Sequence, residues 1–219
     1  DDARWPQIHA ALPKEVAVKV STVIGGAERM QSVANALDAL QPQANAHDWV
    51  LVHDAVRPCV HPADVRKLMH ETANDDIGGL LGVPVRETLK ECDAEHCFVT
   101  RTVDRSRIWQ AATPQMFRFA MLRHALQQAQ SAGQETQSAA QQAQSAAQQT
   151  QNSMQQTQSV AVVTDEAAAI EALGLRVRLV AGRSDNLKIT YPGDLALASA
   201  VLEAQAREES REGARRYEP

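Results

Sequence analysis

Residues that could do chemistry concentrate in one short run, Trp49-Val50-Leu51-Val52-His53-Asp54-Ala55-Val56-Arg57-Pro58. Here an apolar stretch ends abruptly in an imidazole, a carboxylate and a guanidinium. Asp54 offers hard oxygen, which suits Mg²⁺, an ion that takes few ligands from protein. Arg57, three residues on, has the fork geometry that pairs with phosphate oxygens. The same residues also suit a plainer arrangement, with Asp54 capping a turn and Arg57 on the surface. Spacing alone leaves the two readings evenly weighted.

The elements that must position these groups follow from hydrophobic periodicity. Trp49–Val52 is too short and too Val-rich for a helix and reads as a buried strand of a parallel sheet. In open α/β sheets the carboxyl ends of such strands carry the ligand site. Residues 1–12 read as the tail of a helix. Glu15 to Val20 alternates strictly and predicts a strand. Gly25-Gly26 precedes a helix from Ala27 to Leu40, with Met30, Val33, Ala34, Leu37 and Leu40 at core spacing. His61-Pro62-Ala63-Asp64 opens another helix, and Ile77 to Val85 is a second apolar strand. This β-α-β-α-β rhythm predicts an α/β fold: a single doubly wound, Rossmann-like, mostly parallel sheet with right-handed crossovers.

Residues 86–112 break the rhythm. Arg86–Lys90 and Phe98–Val103 read as two legs of a hairpin around a polar tip at 92–96. An arm with so little core of its own packs on a partner. A helix follows from about Arg118. Beyond residue 160 the α/β pattern resumes. Thr164 serves as N-cap with Asp165 and Glu166 at the positive end of a helix, which Gly174 ends. Strands at Arg176–Ala181 and Asn186–Thr190 precede a last amphipathic helix from Pro192 through Leu202. Residues 1–126 and 160–204 therefore form one α/β domain, and 205–219 a charged, frayed tail.

Residues 127–161 divide into five heptads, QQAQSAG, QETQSAA, QQAQSAA, QQTQNSM and QQTQSVA. A seven-residue period raises a coiled coil. The repeating apolar positions, however, are Ala, Thr, Ser and Gly, which bury too little area to drive association. The 127–159 insert reads as a Gln/Ala/Ser-rich expansion, disordered or a frayed helix, with a helical spike as the alternative that Ala and Gln favour.

Bulk composition excludes several classes. A net charge of -5 over 219 residues gives no basic field to recruit nucleic acid. No apolar run approaches membrane-spanning length. The three cysteines, Cys59, Cys92 and Cys97, are odd in number and lack zinc spacing, which suits reduced thiols and a cytoplasmic location. No secretory signal is read at the start. The chain opens on Asp1 rather than Met, as a fragment or a processed product does.

Taken together, several motifs in order resemble the bacterial 2-C-methyl-D-erythritol 4-phosphate cytidylyltransferases of the non-mevalonate isoprenoid route. They are Gly25-Gly26-x-x-Arg29-x-x-Ser32-Val33, the V-L-V-H-D-A-V-R-P run, Pro84-Val-Arg-Glu-Thr88-Leu-Lys90, and Thr102-Val-Asp-Arg105-x-x-x-Trp109-x-x-x-Thr113-Pro-Gln115. Thr164-Asp-Glu166-Ala and Gly182-x-x-x-Asn186-Leu-Lys188-Ile-Thr190 complete the set. The resemblance runs from residue 1 to about 204 and implies CMP transfer from CTP to 2-C-methyl-D-erythritol 4-phosphate, with release of pyrophosphate.

The resemblance also implies roles. Asp54 would hold Mg²⁺ against the triphosphate, with Asp185 and Asn186 as weaker metal contacts. Arg57, Thr88 and Thr113 would bind substrate. Gly25, Gly26 and Ser32 would line the CTP pocket. Arg105 and Lys188 would clamp the attacking phosphate. In such enzymes the arm crosses to the other subunit, so Thr88 and Arg105 would serve the partner's site in a homodimer. Without the resemblance, an exposed hairpin arginine, an edge lysine and two strand threonines are the simpler readings.

Enzymes of this family open with a strand and a glycine-rich loop of the type A-A-G-x-G-x-R, with P-K-Q downstream, that cradles the triphosphate. That segment is absent from these residues. The expectation is an N-terminally truncated chain with little transferase activity as written. Two alternatives are a catalytically dead dimerisation or interaction module and a related pentitol-phosphate cytidylyltransferase.

Overall fold

The computed structural model describes residues 4–147 and 163–215. The chain forms two compact units, Asp1–Gln43 and Ala44–Pro219.

The first unit is helical: α1 (Trp5–Ala11), α2 (Lys14–Ala17) and α3 (Arg29–Leu40). Pro6 sits in the first turn of α1, where its missing N–H costs nothing. The strand expected at Glu15–Val20 does not form. Residues 14–17 make one helical turn and 18–20 carry no regular element. The alternating valines that suggested it are exposed, Val18 at 82%. A strand needs a hydrogen-bonded neighbour, and no strand is found in this unit among the described residues.

The second unit is built on a four-stranded mixed sheet in the order β1 (Trp49–Val52), β5 (Trp109–Arg118), β2 (Gly78–Pro84), β6 (Arg178–Ala181). The α/β class expected from the sequence holds. β2 and β6 are parallel, while β5 runs antiparallel to both β1 and β2. Three of the four strands thus share a direction, and the fourth is wedged between them. β5 was not expected, because the sequence reading carried the arm to residue 112 and began a helix at 118. Its inner residues, Ala112 to Phe117, are all buried, so the strand carries no alternation to betray it.

Helix α4 (Pro62–Thr72) covers one face and sends Leu68 into a core with Leu81, Ala112, Met116 and Val180, against which Trp49 packs. The Arg118 guanidinium lies 3.6 Å from the centroid of the Trp49 ring, a cation–π contact that pins the two edge residues paired in the β1–β5 register. Gly78 opens β2 at φ +127, a backbone region L side chains rarely adopt, and a Cβ there would collide with the Met116 carbonyl. The two strands therefore meet at a point that only glycine allows.

β3 (Leu89–Cys92) and β4 (Val99–Val103) form a separate two-stranded sheet, the expected hairpin. Helix α5 spans Phe119–Ala147 and carries the first part of the heptad segment as helix. Ala and Gln lose little on entering a helix, in keeping with the helical alternatives that the composition left open. Residues 148–159 lie outside the described residues. Asp165, rather than Thr164, caps α6 (Glu166–Ala172), accepting from the Ala168 N–H at 2.9 Å. Gly174 follows α6 at φ +76. Residues 186–190 form no regular element, so the strand expected at Asn186–Thr190 is absent. The last helix, α7 (Pro192–Arg215), continues well past Leu202. The tail is not frayed at its root, because Gln205 is buried and its amide donates to the Cys59 carbonyl at 3.0 Å.

Candidate active site

Three segments converge at the carboxyl end of β1: the turn after the strand, the middle of β5, and the irregular segment 183–190. The turn closes through the Arg57 N–H donating to the Asp54 carbonyl at 3.0 Å. Thr113 reaches it from β5. Its Oγ1 accepts from the Asp54 N–H at 3.1 Å and lies 3.0 Å from His53 Nδ1. The other nitrogen of His53, Nε2, is 2.9 Å from the Arg57 carbonyl and donates to it, which makes Nδ1 the acceptor for the Thr113 hydroxyl. His53 is thus a link in the frame, as expected for a residue beside the strand end.

The third segment is tied in by Asn186. Its buried side-chain amide donates to the Thr113 carbonyl at 2.8 Å, and its own carbonyl accepts from Arg57 Nη1 at 2.8 Å. The Ile189 N–H donates to the Val56 carbonyl at 2.8 Å. Lys188, between these anchors, extends its ammonium to within 3.3 Å of the Asp54 carboxylate, while Arg57 Nε stands 3.6 Å from the same oxygen. One carboxylate is therefore flanked by two cations from different segments. The Asp54 side chain is 12% exposed and that of Lys188 48% exposed, so the acid sits deep and the amine at the mouth.

Burial lowers the Arg57 guanidinium pKa, and the charge and hydrogen bond of Asp54 pull the other way. Arg57 stays charged at neutral pH. Two buried atoms here, Arg57 Nε and Asn186 Oδ1, have no hydrogen-bond partner among the described residues. Unsatisfied polar atoms of this kind are uncommon. Arg57 Nε nevertheless faces the Asp54 carboxylate at 3.6 Å.

A second ring of contacts holds the Lys188 segment. Asp64, buried on α4, accepts from the Arg183 N–H at 2.8 Å. The Arg183 guanidinium grips Asp185 at 2.7 Å and reaches Glu208 of α7 at 3.8 Å. The hydrogen bond from Arg183 holds the Asp185 carboxyl below the usual carboxylate range. Next to Thr113 along β5, the buried Gln115 donates to Asp165 at 2.8 Å and accepts from the Ala167 N–H at 2.8 Å, fastening α6 to the sheet. The sequence reading gave Gln115 no role. A glutamine two residues after Thr113, inside the Thr-Pro-Gln motif, was the available signal.

Of the residues singled out in the sequence, the structure brings together Asp54, Arg57, Thr113, Asn186 and Lys188. Thr88 and Arg105 stand at the root of the hairpin. Thr88 is exposed, and the Arg105 guanidinium donates to the Arg86 carbonyl. Gly25, Gly26 and Ser32 belong to the first unit, where the Ser32 hydroxyl accepts from the Gly26 N–H at 3.0 Å.

Among the described residues no group of three or more His, Cys, Asp or Glu gathers to hold a metal ion. Asp54 offers a single carboxylate, which fits an Mg²⁺ whose other ligands come from a triphosphate and water. Asp185 fits poorly, because Arg183 occupies both of its oxygens. Asn186 acts as a buried strut between β5 and Arg57.

The profile of the 2-C-methyl-D-erythritol 4-phosphate cytidylyltransferase family matches residues 3–152 and 142–204. The chain belongs to this family. It is 43% identical over 206 residues to the 2-C-methyl-D-erythritol 4-phosphate cytidylyltransferase of Dechloromonas aromatica, covering 94% of this chain and 75% of that protein. The enzyme of the same name from Azoarcus sp. is 47% identical over 178 residues, covering 81% and 62%. The chain thus spans between about three fifths and three quarters of the length of these relatives. The crystal structure of the cytidylyltransferase from Thermus thermophilus superposes with a TM-score of 0.63 at 30% identity, over 88% of this chain and 77% of that one. That from Francisella tularensis gives 0.63 at 31%, over 81% and 69%. These cytidylyltransferases support both the α/β class and the family resemblance drawn from the motifs.

Proposed function

We propose that the cluster at the end of β1 handles phosphate in CMP transfer from CTP to 2-C-methyl-D-erythritol 4-phosphate, forming 4-diphosphocytidyl-2-C-methyl-D-erythritol. The observation that carries this reading is the Asp54 carboxylate flanked by Lys188 and Arg57. In this reaction a phosphate oxygen of the sugar attacks the α-phosphorus of CTP, and the bond to pyrophosphate breaks. Two anions must approach each other, so fixed cations and positioning supply the catalysis.

Lys188, at the mouth, draws in the attacking phosphate and holds it. Arg57, fixed by Asn186 and Asp54, offers its donors to the substrate or triphosphate. Thr113 keeps Asp54 and His53 in place and presents its hydroxyl beside them. Mg²⁺, when bound, would supply charge neutralisation on the triphosphate, and Asp54 would be the residue to hold it. Gly25, Gly26 and Ser32 contact the nucleotide, a role that rests on the family motif. Thr88 and Arg105 reach the partner's substrate through the hairpin arm, which makes the working unit a homodimer. Reduced thiols and soluble phosphorylated substrates support a cytoplasmic location. No helix among the described residues is long and apolar enough to cross a membrane.

The test is pyrophosphate release from CTP, Mg²⁺ and 2-C-methyl-D-erythritol 4-phosphate by the complete protein that carries this chain. A pentitol 5-phosphate is the competing substrate. Lys188→Ala lowers kcat/KM by roughly 10²–10³-fold, the usual cost of a lost charge-stabilising donor. Faster turnover of the pentitol phosphate would reassign the substrate, and unchanged turnover in Lys188→Ala would remove the cluster from the chemistry.

A further inference from the structure

The tip of the hairpin arm carries two thiols that neither the fold nor the proposed reaction uses. Cys92 ends β3 and Cys97 lies just before β4, with four residues between them. Both are exposed and free, and their sulfurs stand 3.5 Å apart. A disulfide requires about 2.05 Å between sulfurs and Cβ atoms about 3.5–4.5 Å apart. The two thiols are therefore in contact but not bonded.

The tip is built to keep them facing. Asp93 accepts from the His96 N–H at 2.6 Å and from the Phe98 N–H at 3.2 Å, while its own N–H donates to the Phe98 carbonyl at 3.0 Å. A register shift between Glu91 and Cys92 pairs Cys92 with Val99. Cys97 sits at φ +58, a left-handed conformation uncommon outside glycine. Cross-strand contacts just below, Arg101 with Glu91 at 2.6 Å and Lys90 with Thr102 at 2.6 Å, fix the legs. The third cysteine, Cys59, is fully buried in the body of the second unit, with its thiol donating to the Ala198 carbonyl. It provides an internal control that an oxidant does not reach in the folded protein.

We propose that Cys92 and Cys97 form a reversible dithiol–disulfide site at the arm tip, oxidised by peroxides. One thiolate attacks a peroxide oxygen, giving a sulfenic acid and releasing the other oxygen as water. The second thiol then displaces the hydroxyl of the sulfenic acid as a second water, forming the S–S bond. Two thiols and one hydrogen peroxide thus yield one disulfide and two waters. Such disulfides in reducing compartments are transient and sense redox state. Closure ties the end of β3 to the start of β4.

The experiment treats the reduced protein with equimolar hydrogen peroxide and then alkylates it with iodoacetamide under denaturing conditions for mass analysis. The expected result is loss of two hydrogens, alkylation of Cys59 alone, and a peptide cross-linked between Cys92 and Cys97. Dithiothreitol restores alkylation at both. In Cys97→Ser, which alters one exposed thiol and no residue of the cluster at the end of β1, the intramolecular link is absent. The proposal is overturned if both thiols are still alkylated after peroxide, if they advance to sulfinic acid without linking, or if the disulfide joins two chains rather than two residues of one.

Discussion

Asp54, Thr113 and Lys188 form a connected unit, and substitutions should reveal the order of dependence. Thr113→Val removes the acceptor for the Asp54 N–H and the partner of His53 while keeping the shape. It should cost about 1–2 kcal/mol in denaturant unfolding, with a fall in kcat/KM beyond what the stability loss explains. A wild-type rate would leave Thr113 with a packing role. Asp185 yields a pH prediction. Its folded carboxyl titrates below the ordinary range because Arg183 donates to it, so the unfolded chain binds the proton more readily. The stabilisation is complete above the ordinary carboxylate range and is lost as pH falls through the lower folded value. Asp185→Asn should therefore lower Tm at neutral pH, and the gap from wild type should narrow below about pH 4. A gap that widened in acid would contradict the assignment. Much at this level was legible: Asp54 and Arg57 stand out as charges at the end of an apolar run. The joining of Asn186 to Thr113 and Arg57 was not legible, because residues 73 and 129 positions apart in the chain meet only in the folded structure.

Among the elements, β5 is the one that composition concealed and the one that matters most. It carries Thr113 and Gln115, divides β1 from β2, and reverses direction between them. Its buried run, Ala112 to Phe117, mixes Thr, Pro and Gln with apolar residues and shows no alternation, so period does not reveal a strand. The opposite error occurred at Glu15–Val20, where strict alternation had no neighbouring strand to use it. Gln115 tests the role of β5 as a frame. Gln115→Leu removes the partner of Asp165 and of the Ala167 N–H at the start of α6. It should lower stability by roughly 2–3 kcal/mol through unsatisfied buried groups, measured as a shift in the urea midpoint. No shift would mean that α6 is held by its apolar face alone. Gly78→Ala at φ +127 should be at least as damaging, because the added Cβ meets the Met116 carbonyl.

Across the whole molecule, the α/β architecture was legible from the spacing of apolar runs, and the family from several ordered motifs. The heptad insert and tail were harder, because Ala, Gln and charged residues support either a helix or a loose chain. Removal of residues 134–159 should leave cooperative unfolding of the second unit within a few degrees in Tm, since small polar residues contribute little buried area. A homodimer sharing arms predicts complementation. Arg105→Ala and Lys188→Ala proteins, each impaired, should regain turnover when mixed, and no recovery would place both residues in one subunit's site. The most direct measurement for the central claim is a calorimetric titration of 2-C-methyl-D-erythritol 4-phosphate into the wild-type protein and Lys188→Ala. If Lys188 and Arg57 form the phosphate-handling pair, affinity falls about 10- to 100-fold in the variant, the worth of a charge-assisted hydrogen bond. Equal affinities in the two proteins would show that the phosphate binds elsewhere and that the ion pair with Asp54 serves only the fold.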